Sequence, residues 1–583
     1  MFNNLIDELN KQQKEAANYF NGPSIILAGA GSGKTRVLIA KVVNLINNHQ
    51  IAPSSILMIT FTNKAADEMK KRIGFKYRLG YVGTFHSLSA KILREDGKAI
   101  NLHKNFIIYD EDDQLSLIKQ VIKLINLDSD LSPAYFLNRI SSAKNKLISP
   151  EKYLQSYSDY NAYNVYRLYD YYQKELKKNN AVDFDDLLNL NISLFEENHK
   201  ILEKYQNKYR YLLIDEFQDT NYVQYHLIKL LSQKYKNLTV VGDFSQSIYS
   251  WRGAEIENLR RLEKDFPQIK TFYLEKNYRS TQPILNFAHQ IISKNQTHPI
   301  LHLYTDKTEG DAVVFNELEN EEEEAIFITN TIKDLQLTYP LEEIAVLYRI
   351  NAQSRIIEEV LLYYGIPYLL IGGIRFYERK EIKDILSYLR LLINPLDRVS
   401  FNRIIKLGKN RWKKFQEYFE KNKDVILKKE SEKLIEEIIE KTQYLNLYNL
   451  DKEEGISRLE NIKELKSVAK NFPNLIQFLE QISLVESEYF EGEKNKDKKN
   501  KIRLMTLHQS KGLEFSVVFI IGVEEGILPH SRALNSLYQL EEERRLFYVG
   551  ITRAKQKLYI TYTKKRFIFG SINYSLKSRF IDE

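Results

Sequence analysis

The chain has 583 residues, 43% hydrophobic and 28% charged, enough for roughly three to five soluble domains that each bury a core. Its 22 glycines and 12 prolines fall short of the roughly 41 and 29 that average usage would give, which excludes a linker protein, a collagen-like fibre and a turn-rich all-β array. Zero cysteines exclude disulfides, Fe–S clusters and thiol chemistry and suit a cytoplasmic setting, while 85 basic against 77 acidic residues, a net +8, permit a polyanionic partner without demanding one.

In chain order, the N-terminal MFNNLIDELNKQQ carries acids early and no apolar core, so it does not read as a signal peptide. No apolar run nears the roughly 18 residues that span a membrane, and no membrane partner is expected. Residues 24–27 (SIIL) read as a buried strand and 35–47 as a helix, with Val37, Leu38, Val42, Leu45 and Ile46 on its apolar face. Further strands are predicted at 55–60, 211–214, 238–242 and 271–274. Residues 98–241 contain no glycine, and 110–205 read mainly as helices. A second strand set follows at 312–318, 344–349, 368–373, 516–522 and 558–563, with a Lys/Glu-rich helical stretch between 378 and 501. That stretch ends in GEKNKDKKNK (492–501), read as a solvated linker. The acidic run at 321–324 reads as the exposed start of a helix, and the 39 tyrosines, alongside excess Lys, Asn and Ile, as the mark of an AT-rich genome. Short β-branched runs alternating with longer helical patterns predict an α/β fold of two parallel-sheet domains, each with a mainly helical insertion. The division expected is 1–90 and 191–272 for the first domain around an insertion at 91–190. The second is 273–377 and 502–583 around a shortened insertion at 378–501.

In so glycine-poor a chain, AGAGSGKT (28–35) stands out. Three glycines, Gly29, Gly31 and Gly33, follow a strand and open a helix, the setting a phosphate-binding loop requires. Here Ala28, Ala30 and Ser32 are small enough to let backbone N–H groups face phosphates. Lys34 brings a point charge to the β/γ oxygens and Thr35 can ligate Mg²⁺. The strict pattern has Gly where Ala28 stands, so the match is to the relaxed form. Asp215 and Glu216 end the apolar run YLLI, where open α/β sheets bind ligands. One carboxylate can hold Mg²⁺ while the other activates the attacking water; Asp215 is assigned to the metal and Glu216 to catalysis. Alone, such a pair is as readily structural.

At LLIDEFQDTN (212–221) the chain resembles the UvrD/Rep/PcrA family of superfamily-1 DNA helicases, and the resemblance runs nearly end to end. LNKQQKEA (9–16) resembles the glutamine motif, and AGAGSGKTR extends the phosphate loop to Arg36. TFTNKAADEM (60–69), VGTFHSL (82–88), AVDFDDLL (181–188), VVGDFSQSIYSWRGA (240–254) and LEKNYRST (274–281) follow in order. IAVLYRINAQSR (344–355), FYERKEIKD (376–384), LMTLHQSKGLEF (504–515) and EEERRLFYVGITRA (541–554) complete the set. The resemblance implies two RecA-like domains with ATP in the cleft between them, and a 3′→5′ motor on single-stranded or 3′-tailed DNA. By the same resemblance Gln13 meets the adenine edge, Tyr278 stacks on adenine and Glu514 meets the ribose. Arg279 and Arg553 would reach the γ-phosphate from the second domain's side, and Gln246 would link ATP state to DNA. Phe61, Tyr249 and Trp251 are the implied stacking platforms, with Thr84, His86, Arg349 and His508 near the strand. Core packing competes with those roles, most of all at His86. His508 suits a relay between ATP and DNA as well as a direct contact.

Three departures from the family pattern qualify the transfer. Ser245 stands where the family usually has Asp, so altered coupling is expected. The second insertion reads IIKLGKNRWKKF (404–415) where the family has a glycine-containing turn, which brings duplex grip and unwinding into question. The sequence stops at SRFIDE (578–583), so tail-dependent partners are not carried over. Against the helicase stands an ATP-driven single-strand translocase that displaces proteins and unwinds weakly, with the same ATP-site residues. A non-catalytic DNA-binding remnant is opposed by the intact Lys34, Thr35, Asp215, Glu216, Arg279 and Arg553. A helicase–nuclease has no extension after Phe580 to hold the nuclease, and RNA is disfavoured only by family similarity.

Overall fold

The structure, a computed structural model, describes residues 6–74, 77–127, 131–372, 374–423, 425–450, 453–482, 500–568 and 571–583. Apart from Asn500 and Lys501, the stretch expected as a linker at 492–501 lies outside the described residues. The chain forms two compact units. The first is Met1–Arg279 with Asn295–Asp306, and the second is Ser280–Lys294 with Lys307–Glu583.

The first unit is built on β1 (Ser24–Ala28), β2 (Ile56–Thr60), β3 (Tyr81–Thr84), β6 (Tyr211–Ile214), β7 (Leu238–Gly242) and β8 (Lys270–Leu274). All pair in parallel, in the order β3-β2-β6-β7-β1-β8. Strands β1, β2 and β7 are buried along their whole length, as a parallel sheet covered on both faces demands. One face packs Phe85, Leu88, Ile92, Leu187, Phe195 and Leu227; the other packs Val37, Leu38, Val42, Leu45 and Met69. Between β3 and β6 comes the helical insertion, crossed by the two-residue parallel pair β4 (Ile107–Ile108) and β5 (Ala181–Val182). It has a core of its own around Leu117, Ile118, Phe136, Ile140, Tyr153, Val165 and Tyr172. Its polar anchor is Lys144, buried between Asp183 at 2.6 Å and Asp186 at 2.7 Å. The Tyr172 hydroxyl also donates to Asp183, at 3.0 Å.

The second unit's sheet comprises β9 (Val314–Leu318), β10 (Ile344–Tyr348), β11 (Tyr368–Leu370), β12 (Ile502–Thr506), β13 (Phe515–Ile520) and β14 (Ala554–Thr563). It too is parallel, in the order β11-β12-β10-β13-β14-β9. Here, among the described residues, the insertion has no separate core. One cluster runs from Ile344, Val346 and Ile502 on the sheet through Ile382, Leu389, Phe415, Leu434, Tyr444, Leu465 and Phe478 on the inserted helices. Helix Glu453–Asn471 is also fastened along one face by polar residues at helical spacing. Ser457 accepts from Asn351 at 2.9 Å, and Glu460 lies 3.3 Å from His530. Asn461 accepts from Arg379 and donates to Glu381, and Glu464 accepts from Arg355 at 2.7 Å. Gly408, at φ 126°, turns the chain between helices Arg398–Lys406 and Lys409–Asn422.

The acidic run at 321–324 does begin a helix, Glu321–Leu335, but Glu324 is fully buried rather than exposed. It faces Arg566 at 2.7 Å and accepts from Thr561 and from the Gly522 N–H; the ion pair is what makes that burial tolerable. Strands β3 and β12, not singled out from sequence, overlap the motif segments 82–88 and 504–515. Among the described residues no helix is long and apolar enough to cross a membrane.

Candidate functional site

Strands β6, β7 and β1 are neighbours and parallel, so their C-terminal ends bring Asp215, Asp243 and the phosphate loop side by side. The loop leaves β1 at Ala28 and enters helix Lys34–Asn47. Gly31 (φ 65°) and Gly33 (φ 84°) take left-handed backbone that a side chain would strain. Space is also denied there. A methyl at Gly29 would fall 2.2 Å from Leu303, and one at Gly31 would fall 2.7 Å from the Asn277 amide and 2.9 Å from Arg279 Cβ. Ser32 Oγ donates to Gly29 O at 2.8 Å, and Gln13 Nε2 donates to Ser32 O at 2.8 Å. Gln13 is itself fixed as the third residue of a capping box with Asn10. Lys34 Nζ donates to the Ala28 and Gly29 carbonyls at 3.3 Å and lies 3.8 Å from Asp243. Arg36 pairs with Glu8 on the surface, and Thr35 is the second residue of the helix that Lys34 opens.

Asp215 is buried at the end of β6, its N–H donating to Ile59 O. Burial, reinforced by Glu216 and opposed by Lys34, pushes its carboxyl up to about 8. Its Oδ1 is buried with no hydrogen-bond partner among the described residues. An orphaned carboxylate oxygen in that position is what a hard cation would satisfy, and the carboxylate with the Thr35 hydroxyl makes an all-oxygen donor set suited to Mg²⁺. Among the described residues no group of three or more acidic or histidine side chains could hold a metal ion. Such an ion would therefore take its remaining ligands from phosphates and water. Glu216 stands in left-handed backbone (φ 51°) and accepts from Gln218. Gln218, fully buried, in turn accepts from the Asp243 N–H at 3.0 Å. Asp243 is raised by burial, and Lys34 and Gln246 act against that; Gln246 Nε2 donates to its Oδ2 at 2.6 Å. Ser245, the residue in place of the family's Asp, donates its N–H to Asp243 Oδ1 at 3.1 Å and sets its hydroxyl 3.2 Å from His298 Nε2.

Tyr278 and Arg279 belong with this loop. Arg279, expected on the second domain's side, packs instead in the first unit, whose first segment runs to Arg279. Two backbone-directed bonds pin them there: Asn277 Nδ2 to Ala30 O at 2.7 Å and Tyr278 N–H to Gly31 O at 3.0 Å. Tyr278 is exposed, and its hydroxyl accepts from Asn10 at 2.8 Å. The next residue, Ser280, belongs to the second unit and donates to Ala554 O at 2.6 Å, beside Arg553. Arg553 is buried, its guanidinium donating to Val549 O, Leu513 O and Thr552 Oγ1. Glu514 lies on the surface, 3.5 Å from Lys555.

An aromatic surface follows the ends of β2, β3 and β7. Phe61 and Tyr249 stack with centroids 5.8 Å apart and planes 8° from parallel, and Trp251, half exposed, stands edge-on to Tyr249 at 6.3 Å. Burial lowers the His86 imidazole's affinity for a proton. Its ring meets the edge of Phe184 at 5.9 Å. Phe184, an exposed phenylalanine, was not singled out from sequence. The signal available was an apolar residue set between the acids of DFDD, where it opens a helix rather than entering the core. Thr84 is buried, and its hydroxyl is committed to capping helix Phe85–Asp96 through Ser87. In the second unit Arg349 and His508 follow the adjacent strands β10 and β12. Arg349 donates through Nε and Nη2 to the Glu543 carboxylate, at 2.8 to 3.1 Å.

Comparison with known proteins matches both halves of the chain. Residues 9–267 match the UvrD/REP helicase N-terminal domain, and residues 272–428 and 406–565 match the UvrD-like helicase C-terminal domain. The protein is 43% identical to an ATP-dependent DNA helicase PcrA of Bacillus subtilis, across all of this chain and 86% of the relative. PcrA proteins of Staphylococcus epidermidis and Staphylococcus aureus are 42% and 41% identical, again across the whole chain and 87% of theirs. The Bacillus alignment spans 636 positions against 583 residues here, so at least 53 of its positions have no counterpart in this chain. With a phosphate loop, an acidic pair and two six-stranded parallel sheets, and with this likeness from end to end, the chain belongs to the UvrD/REP helicase family.

Proposed function

We propose that the protein is an ATP-dependent DNA helicase of the cytoplasm that moves 3′→5′ on single-stranded DNA and opens duplexes from a 3′ tail. The observation that carries the reading is the convergence of Asp215, Asp243 and the phosphate loop on three adjacent strand ends, with one Asp215 oxygen left unsatisfied. In this reading the loop N–H groups and Lys34 bind the phosphates, and Gln13 and Tyr278 border the base. Thr35 and Asp215 hold Mg²⁺, which when bound neutralises charge on the phosphate oxygens. Glu216 takes the proton of the attacking water as the bond to the γ-phosphorus forms and the bridging oxygen departs with ADP. Arg279 and Arg553 supply positive charge to the transferring group, Gln246 reports its presence, and Glu514 borders the ribose. On the first unit Phe61, Tyr249, Trp251 and Phe184 offer stacking faces to successive bases, with His86 beside Phe184, and His508 serves the strand from the second unit. Thr84 supports the first unit's surface through the helix cap, and Arg349, on the second unit, lies near the strand beside its Glu543 partner.

The test compares single-strand-stimulated ATP hydrolysis in the wild type and Lys34→Ala, then unwinding of 3′-tailed, 5′-tailed and blunt duplexes. Loss of turnover by at least about 100-fold in the variant and unwinding of the 3′-tailed duplex alone are expected. Strong hydrolysis by Lys34→Ala would overturn the site. Hydrolysis without strand separation would leave a translocase.

A further inference from the structure

We propose that Asn295–Asp306 is a strap that sets the geometry of the Asp243–Gln246 turn, with His298 as its positioning residue. The inference rests on the reading of this site as an ATPase. The strap packs in the first unit, although the segments on either side of it, Ser280–Lys294 and Lys307 onward, belong to the second. Its attachments are specific. Leu303, buried, fills the space a side chain at Gly29 would need. Tyr304 exchanges backbone hydrogen bonds with the β8 extension, accepting from Asn277 N–H at 2.7 Å and donating to Glu275 O at 3.1 Å. Lys276 pairs with Asp306 at 2.6 Å. At the other end His298, 8% exposed, sets Nε2 3.2 Å from the hydroxyl of Ser245, itself 5% exposed.

One short segment thus touches the phosphate loop through Leu303 and the acidic turn through His298. Ser245 is the hinge of that turn, because its N–H holds one Asp243 oxygen while Gln246 holds the other. Held by His298, Ser245 keeps the Asp243 carboxylate aimed at Lys34, 3.8 Å away, and keeps Gln246 on the same carboxylate. A serine suits this role because its hydroxyl donates or accepts, and so pairs with either neutral tautomer of the imidazole. Both strap ends continue covalently into segments of the second unit, so the strap is tethered to it at each end. The strap is therefore a link in the chain of contacts that makes hydrolysis answer to the bound strand.

The prediction is a split in kinetics. His298→Ala lowers strand-stimulated kcat about 10-fold and leaves KM for ATP within about twofold, because no strap side chain is assigned to the nucleotide. His298→Gln, whose amide can reach Ser245 as donor or acceptor, restores kcat to near the wild-type value. Ser245→Ala reproduces the His298→Ala loss, and the double variant is no worse than either single one. Wild-type kcat in His298→Ala, or a loss that His298→Gln does not recover, would overturn the proposal. Should His298→Ala fail to fold, Ser245→Ala decides alone: it removes the same bond from a small side chain, and unaltered kcat there refutes the strap. Failure of the ATPase reading itself is separate, since wild type and Lys34→Ala would then be equally inactive.

Discussion

Asp215, the proposed Mg²⁺ ligand, also carries a cost in stability. Its folded-state pKa near 8 against an ordinary 3.8 means the native state holds that proton more tightly than the unfolded chain. The associated stability is complete below about pH 4 and is lost as pH rises toward 8. Asp215→Asn should therefore raise the Tm of the nucleotide-free protein at pH 8 by about 2–5 °C while abolishing turnover. A thermal melt at pH 5 and pH 8 checks it: the gain must shrink at the lower pH, and equal gains would refute the assignment. Arg349 makes the opposite case. Alanine there leaves Glu543 buried without its cation and should cost about 3–5 kcal/mol, visible in urea unfolding; undiminished stability with lost strand affinity would return Arg349 to direct contact. These two residues mark the limit of legibility. Asp215 was legible as a candidate only in company with the phosphate loop, because a carboxylate ending an apolar strand is by itself as readily structural. The partners of Arg349 and Thr84 were not, since a guanidinium paired with Glu543 and a hydroxyl that caps a helix depend on residues distant in sequence or on local backbone geometry.

Among elements, the first insertion depends on a single buried cation. Lys144 is the partner of both Asp183 and Asp186, and burial together with Asp183 already pushes the Asp186 carboxyl up to about 6. Lys144→Met should destabilise the insertion by about 3–5 kcal/mol, read as faster amide exchange across helices Pro133–Lys144 and Phe184–Glu197. Unchanged exchange would mean that the acids are satisfied without Lys144. The strands with apolar runs were legible almost to the residue: 211–214 and 238–242 were foreseen with the bounds of β6 and β7. Those with mixed composition were not, and β14 starts at Ala554 rather than 558 because its first turns carry Lys and Gln. Glu324 misled for a related reason. Four acids in a row look solvated, and only Arg566, 242 residues away, reveals that one of them is buried.

At the scale of the molecule, the two insertions are held differently. The first has its own core, whereas the second shares one cluster with its sheet and is laced to it by Ser457, Glu460, Asn461 and Glu464. Native-state hydrogen exchange should therefore show the first insertion opening by itself at lower free energy. Helices Lys380–Ile393 and Glu453–Asn471 should open only together with β10 and β12. Independent opening of the second insertion would contradict the shared core. Nothing in the sequence distinguished the two cases, because both insertions read simply as amphipathic helices.

The chain's passage between units, at Arg279, at Lys294 and again at Asp306, has a consequence for synthesis. A ribosome that has made residues 1–272 has made the phosphate loop, the acidic pair and Gln246, but not Asn277, which holds Ala30, nor Leu303 and His298, which brace Gly29 and Ser245. Emerging N-terminus first, the nucleotide pocket cannot be finished until the start of the second unit has left the exit tunnel. Nascent chains stalled before residue 306 should not yet hold ATP, and a gene split at the midpoint would yield a first half with the right motifs and an unbraced site.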